Sequence, residues 1–122
     1  MKGAYTFTIE KTNDNKFIYK EYFPETRQMT HRTTYANRKL TIKDGPCSEW
    51  MDDGILWFTG QYVNNQRVGE WMHYYRDNIY QTGKYVEGEK EGEWVRRGTN
   101  GKLHAICHYR AGKLEGSFKQ FA

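Results

Sequence analysis

Four glycines, Gly45, Gly69, Gly92 and Gly116, follow one another at intervals of 24, 23 and 24 residues, and the residues around them recur in register. A repeat of this length constrains a fold more than local propensity does, because each copy must be one small supersecondary unit stacked on the next. Gly69-Glu70-Trp71 and Gly92-Glu93-Trp94 share one pattern, with Phe118 at the tryptophan position of the last copy and Cys47 at that of the first. Nine residues after the first three head glycines stand Gly54, Asn78 and Gly101, residue types that tolerate the positive φ of a tight turn. Tyr62, Tyr85 and Tyr109 follow, each seven residues ahead of the next head glycine, and Trp50, Tyr74, Arg97 and Phe121 lie five residues after a head. Each unit therefore reads as two short strands joined by an Asn or Gly turn. A polar, glycine-containing loop such as Glu87-Gly88-Glu89-Lys90-Glu91 would separate one unit from the next. Because a lone hairpin is marginal in water, the expected fold is all-β: a single antiparallel sheet of stacked β-hairpin repeats, with the recurrent rings packed in rows.

Composition agrees with a ring-built core. Among 122 residues, Phe, Trp and Tyr number 20 against 14 Leu, Ile and Val. The net charge of +4 is too small to hold the chain disordered by self-repulsion. No apolar run approaches the roughly 18 residues of a membrane span, and Met1-Lys2-Gly3-Ala4-Tyr5 leads into alternating polar residues rather than an apolar leader. Two isolated cysteines, Cys47 and Cys107, make no disulfide framework, so a reducing, cytoplasmic setting is the expectation.

Residues 1–44 are built differently from residues 45–122. They hold nine Lys and Arg against five Asp and Glu, and no glycine lies between Ala4 and Asp44, whereas residues 45–122 hold ten charges of each sign. Tyr5, Phe7 and Ile9 alternate with polar residues, Thr12-Asn13-Asp14-Asn15 supplies a turn, and Phe17-Ile18-Tyr19 resumes the strand, which predicts a hairpin. Pro24 ends the second strand, and Thr33-Thr34-Tyr35 and Leu40-Thr41-Ile42 read as further strands. The segment is expected to form an N-terminal β-hairpin cap on the repeats at 45–122, in one structural unit. The 13-residue step from Tyr22 to Tyr35, beside 12 from Trp50 to Tyr62, leaves room for a degenerate repeat there. Arg38-Lys39, with Lys43 nearby, would serve as solvated edge-strand charges or as a patch for an anionic partner.

The pattern from Gly69-Glu70-Trp71 through Gly83-Lys84-Tyr85, and again from Gly92-Glu93-Trp94 to Tyr109, resembles the MORN-type repeat, most closely the bacterial YwqK-type antitoxin branch. Gly45 to Tyr62 and Gly116 to Phe118 are weaker copies, and the resemblance covers about two thirds of the chain. It implies an extended, twisted sheet of hairpins without chemistry of its own. It also implies a protein-binding role, as an antitoxin or immunity factor that neutralises a toxin, or else as a scaffold or peripheral membrane binder. Three departures stand out: no repeat glycines before Gly45, no tryptophan in Gly45-Pro46-Cys47, and Arg97 where the other units carry a ring.

Candidate chemistry is sparse. His104, Cys107 and His108, with His73 on a neighbouring strand, offer metal-ligand residue types, but strand alternation sends Cys107 to the face opposite His104 and His108. Asp52-Asp53 before Gly54 is a turn signature rather than a catalytic carboxylate pair. No nucleophile elbow, phosphate loop or zinc-protease motif occurs, so neither an enzyme nor a cofactor is expected. Trp57, Tyr75 and Tyr80 fall outside the repeat's packing positions, and Arg76, Arg96 and Arg97 lie near the same end of successive units. Tyr, Trp and Arg dominate interface hot spots, so these six are the candidate partner-binding residues. Rings among cations also suit single-stranded nucleic acid, a reading disfavoured by the neutral balance of residues 45–122 and by Glu87, Glu89, Glu91 and Glu93. The expected partner is a protein, a toxin or another effector. An anionic membrane surface, and dimerisation through sheet edges, are further readings.

Overall fold

Strands follow one another in space in the order they occur along the chain, so nearly every contact is between sequence neighbours. The structure, a computed structural model, describes residues 3–75, 78–115 and 119–120. Its strands are β1 (Thr6–Lys11), β2 (Phe17–Tyr22), β3 (Met29–Tyr35), β4 (Lys43–Trp50), β5 (Leu56–Val63), β6 (Gln66–Tyr74), β7 (Tyr80–Val86), β8 (Glu89–Arg97), β9 (Leu103–Arg110), β10 (Lys113–Leu114) and β11 (Lys119–Gln120). They form one antiparallel sheet in the order β1 to β10, with β11 pairing further along β9. The only helical turn among the described residues is the 3-10 turn Thr99–Gly101. The all-β sheet of stacked hairpins expected from the sequence, with its N-terminal β1–β2 hairpin, is the fold observed.

Two kinds of turn alternate. Within a unit, Met51 N donates to Ile55 O at 2.9 Å and Gly98 N to Lys102 O at 2.8 Å, while Gly54, Asn78 and Gly101 take φ of 86°, 61° and 74°. The positive-φ positions are those the spacing marked. The β2–β3 hairpin closes over a turn one residue longer, Phe23 N donating to Gln28 O at 2.8 Å. Between units the connection is only two residues, Asn64-Asn65, Glu87-Gly88 or Ala111-Gly112, and both members have positive φ. That is the type I′ geometry whose twist matches the flanking strands.

The head glycines are not at unit boundaries, and Glu89-Lys90-Glu91 is not loop but the start of β8. Gly45, Gly69 and Gly92 lie inside β4, β6 and β8 with φ of 140°, 68° and 77°. There the pairing slips: Thr59 and Gln61 face Met72 and Val68, and Thr82 and Lys84 face Val95 and Glu91. Thr33 and Tyr35 likewise face Cys47 and Lys43, so each of these three glycines is a β-bulge residue, whose left-handed backbone bends and twists the strand. Gly116 and Phe118 lie outside the described residues.

Leu40-Thr41-Ile42 forms a loop rather than a strand. Asn37 Oδ1 accepts from Thr41 N at 3.0 Å and Ile42 N at 3.1 Å, so a side chain takes backbone donors that a ladder would have used. Arg38 and Lys39 sit in this loop and not on an edge strand.

The core is a row across one face, and it alternates large with small. Cys47, Gly60, Trp71, Gly83, Trp94 and Cys107 follow one another from β4 to β9, and each indole lies on the glycine of the preceding strand. Trp71 and Trp94 are 6% and 3% exposed. Tyr62 and Tyr85 stand edge-on to Trp71 at 5.3 and 5.7 Å, and Tyr85 and Tyr109 to Trp94 at 5.1 and 6.4 Å. Both indole N–H groups are satisfied, Trp71 Nε1 donating to Val68 O at 3.1 Å and Trp94 Nε1 to Lys84 O at 3.2 Å. The second recurring set, Trp50, Tyr74 and Arg97, alternates onto the opposite face, paired across with Leu56, Tyr80 and Leu103.

Candidate functional site

A cation recurs two residues before each of the first three head glycines: Lys43, Arg67 and Lys90. The bulges leave these residues on the ring face, where each covers the tyrosine of the following strand. Lys43 Nζ is 4.9 Å from the Tyr62 ring centre, the Arg67 guanidinium 5.5 Å from Tyr85, and Lys90 Nζ 5.0 Å from Tyr109. Arg67 and Lys90 also lie over Trp71 and Trp94, at 5.3 and 4.7 Å. Cations placed over ring faces are held by the ring quadrupole, more strongly where water is excluded.

Between them opens a groove of about 290 Å³, lined among others by Trp57, Arg67, Trp71, His73, Tyr75 and Lys90. His73 lines it, stacked on Tyr75 at 4.8 Å and met edge-on by Trp57 at 6.1 Å. Tyr75 OH donates to Gln81 Oε1 at 3.0 Å, and the Arg96 guanidinium covers Tyr75 at 5.3 Å. Although ringed by core side chains, Trp57 and Tyr75 remain 41% and 38% exposed. On its β2–β4 side the face carries carboxylates already engaged: His31 bridges Glu49 at 2.7 Å and Glu21 at 3.3 Å.

Charge separates between the two faces from β6 to β9. Among the described residues no carboxylate lines the groove, and Lys43, Arg67, Lys90 and Arg96 enter no ion pair. Glu70 and Glu91 pair across with Lys84 on the opposite face, and Glu93 lies 3.6 Å from His108 there. Burial, reinforced by Arg67 and Lys90, pulls His73 below its ordinary value. Burial likewise pulls Lys90 down, with Arg67 and Arg96 adding to it against an opposing contribution from Cys107. The groove is therefore an apolar, electropositive surface able to hold anionic groups against rings.

Of the six residues singled out in the sequence, the fold brings Trp57, Tyr75 and Arg96 together at this groove. Tyr80 and Arg97 pair with each other on the opposite face, Arg97 donating to Gly101 O at 3.0 Å. Arg76 lies outside the described residues. Lys43, Arg67, Lys90 and His73 were not among the six, although the 24- and 23-residue spacing of the three cations was legible beside the glycines.

The other candidates resolve locally. Asp53 Oδ1 accepts from Ile55 N at 3.0 Å, so the carboxylate holds its own turn. Cys107 is buried in the core row while His108 faces the other side, and no cluster of three metal-ligating side chains occurs among the described residues. No protein-family model and no curated protein matches the chain.

Proposed function

We propose that this chain is a protein-binding repeat module, and specifically an antitoxin or immunity-type inhibitor that occludes a partner toxin. What carries the reading is the groove itself: exposed rings at Trp57 and Tyr75 flanked by Arg67, Lys90 and Arg96, with no carboxylate lining it among the described residues. Partly exposed aromatics beside arginine are the residue types that anchor interfaces. Cations without a carboxylate beside them favour a partner with an acidic surface and speed its encounter. This points away from a toxin whose working cleft binds nucleic acid, since that cleft would itself be basic. Co-expression with the product of the neighbouring gene tests the reading. Rescue of growth supports it, whereas unrelieved toxicity with both proteins present rejects the antitoxin role.

A second reading, a scaffold or peripheral membrane binder, is favoured by the cations recurring along one margin of the ring face, where anionic lipid would meet Lys43, Arg67 and Lys90 together. Sedimentation with anionic vesicles, and none with neutral ones, would support it.

A further inference from the structure

We propose that the partner segment taken by this face is an acidic polyproline II stretch that crosses the strands and presents a carboxylate at every third residue. The inference rests on the ring face being the protein-binding surface, and adds the chemistry and spacing of what binds. Lys43, Arg67 and Lys90 occupy equivalent places on β4, β6 and β8, each over the tyrosine of the next strand. Adjacent strands lie about 4.8 Å apart, so the cations recur about every 9.6 Å and the outer two stand about 19 Å apart. A polyproline II helix has three residues per turn and rises about 3.1 Å per residue, so every third side chain points the same way at about 9.3 Å intervals. The two periods stay in step across all three cations. A partner β-strand repeats a face about every 6.7 Å and misses the middle cation. Seven residues of an α-helix cover about 10.5 Å and overshoot the outer pair by about 2 Å.

Charge and surface chemistry agree with this occupant. The three cations have no ion-pair partner among the described residues; Glu70, Glu91 and Glu93 of β6 and β8 lie on the other face, and Glu49 of β4, on this face, is already bridged to His31. Between the cations stand Tyr62 and Tyr85, partly exposed rings packed against the buried Trp71 and of the kind on which prolyl rings pack at low entropic cost.

The test titrates the intact chain, by calorimetry at low salt, with a synthetic peptide of about five Glu-Pro-Pro triplets. A block isomer of identical composition, all its glutamates first and all its prolines after them, is the control. Single-stranded DNA and phosphatidylserine vesicles serve as competing probes. The expected result is binding of the triplet peptide about tenfold tighter than the block isomer. Lys43→Gln, Arg67→Gln and Lys90→Gln should each weaken it by about fivefold, and Lys84→Gln on the opposite face should leave it unchanged. Should a glutamine variant melt early, salt gives the second readout on the unaltered chain: screening should erase the preference between isomers. Equal affinity for the two isomers overturns the spacing while leaving an acidic-partner face intact. Tighter binding of DNA or vesicles, lost in the same variants, overturns a protein ligand altogether. Failure of both peptides, with a captured natural partner still dependent on Arg67 and Lys90, overturns this inference and spares the function proposed above.

Discussion

The indole of Trp71 lies so close on Gly60 that a Cβ there would stand 2.1 Å from Trp71 Cδ2, and Trp94 covers Gly83 at the same distance. The strand backbone beneath each ring cannot recede without breaking its ladder. Gly60→Ala and Gly83→Ala should each destabilise the fold by about 2–3 kcal/mol through overpacking. Gly69 differs, for nothing lies within 4 Å of its Cβ position but its φ is +68°. Gly69→Ala should cost about 1–2 kcal/mol, from backbone strain alone. Urea titrations with a common slope would separate the two classes.

Removing the rings tests the same row from the other side. Trp71→Ala and Trp94→Ala should each cost about 3–5 kcal/mol, because both indoles are buried and leave cavities. Trp57→Ala, at an exposed ring, should cost well under about 1 kcal/mol while weakening partner binding. Denaturation midpoints set beside partner capture distinguish a packing ring from a recognition ring.

Much of this architecture was legible in the chain, for a physical reason. A hairpin sheet reuses the same few backbone problems in every unit, so Gly54, Asn78 and Gly101 mark turns wherever they recur. The bulges were harder to see. Left-handed φ at Gly69 serves a bulge as well as it serves a loop, and only the slipped register between β5 and β6 tells them apart. The site was half legible. Trp57, Tyr75 and Arg96 meet because a bulge between β4 and β5 leaves Trp57 beside Phe58, facing His73. Tyr80 and Arg97 alternate to the other face, which composition and clustering along the chain do not reveal. Lys43, Arg67 and Lys90 recur with the glycines, but their role does not show in that spacing, because a cation before a glycine reads as solvated surface until the ring beneath it is known.

Stability should vary with pH through His73. Burial, with Arg67 and Lys90, holds its folded-state value below the ordinary 6.5, so the unfolded chain takes up a proton that the folded chain resists. Stability from this group is complete above pH 6.5 and is lost as pH falls from there through the lowered value. His73→Gln should flatten that part of the wild-type curve, as read by thermal melts from about pH 4.5 to about pH 7.5. An unchanged difference between the two proteins across this range would contradict the placement of His73.

The two thiols should be slow to react in the native state. Both are buried, and burial pushes Cys47 up to about 11, so little thiolate forms at about pH 8. An aromatic disulfide reagent should titrate both cysteines rapidly in urea and only slowly in buffer. Rapid native labelling of Cys47 would mean that the row beneath Trp71 opens readily.

The ring face as the recognition surface is tested most directly by charge reversal followed by partner capture from the native host. Arg67→Glu combined with Lys90→Glu should abolish capture, and capture by the unaltered chain should weaken in high salt as the electrostatic contribution is screened. Lys84→Glu on the opposite face should retain the partner at wild-type yield. Capture that survives the double reversal but is lost with Lys84→Glu would place recognition on the other face and contradict the account.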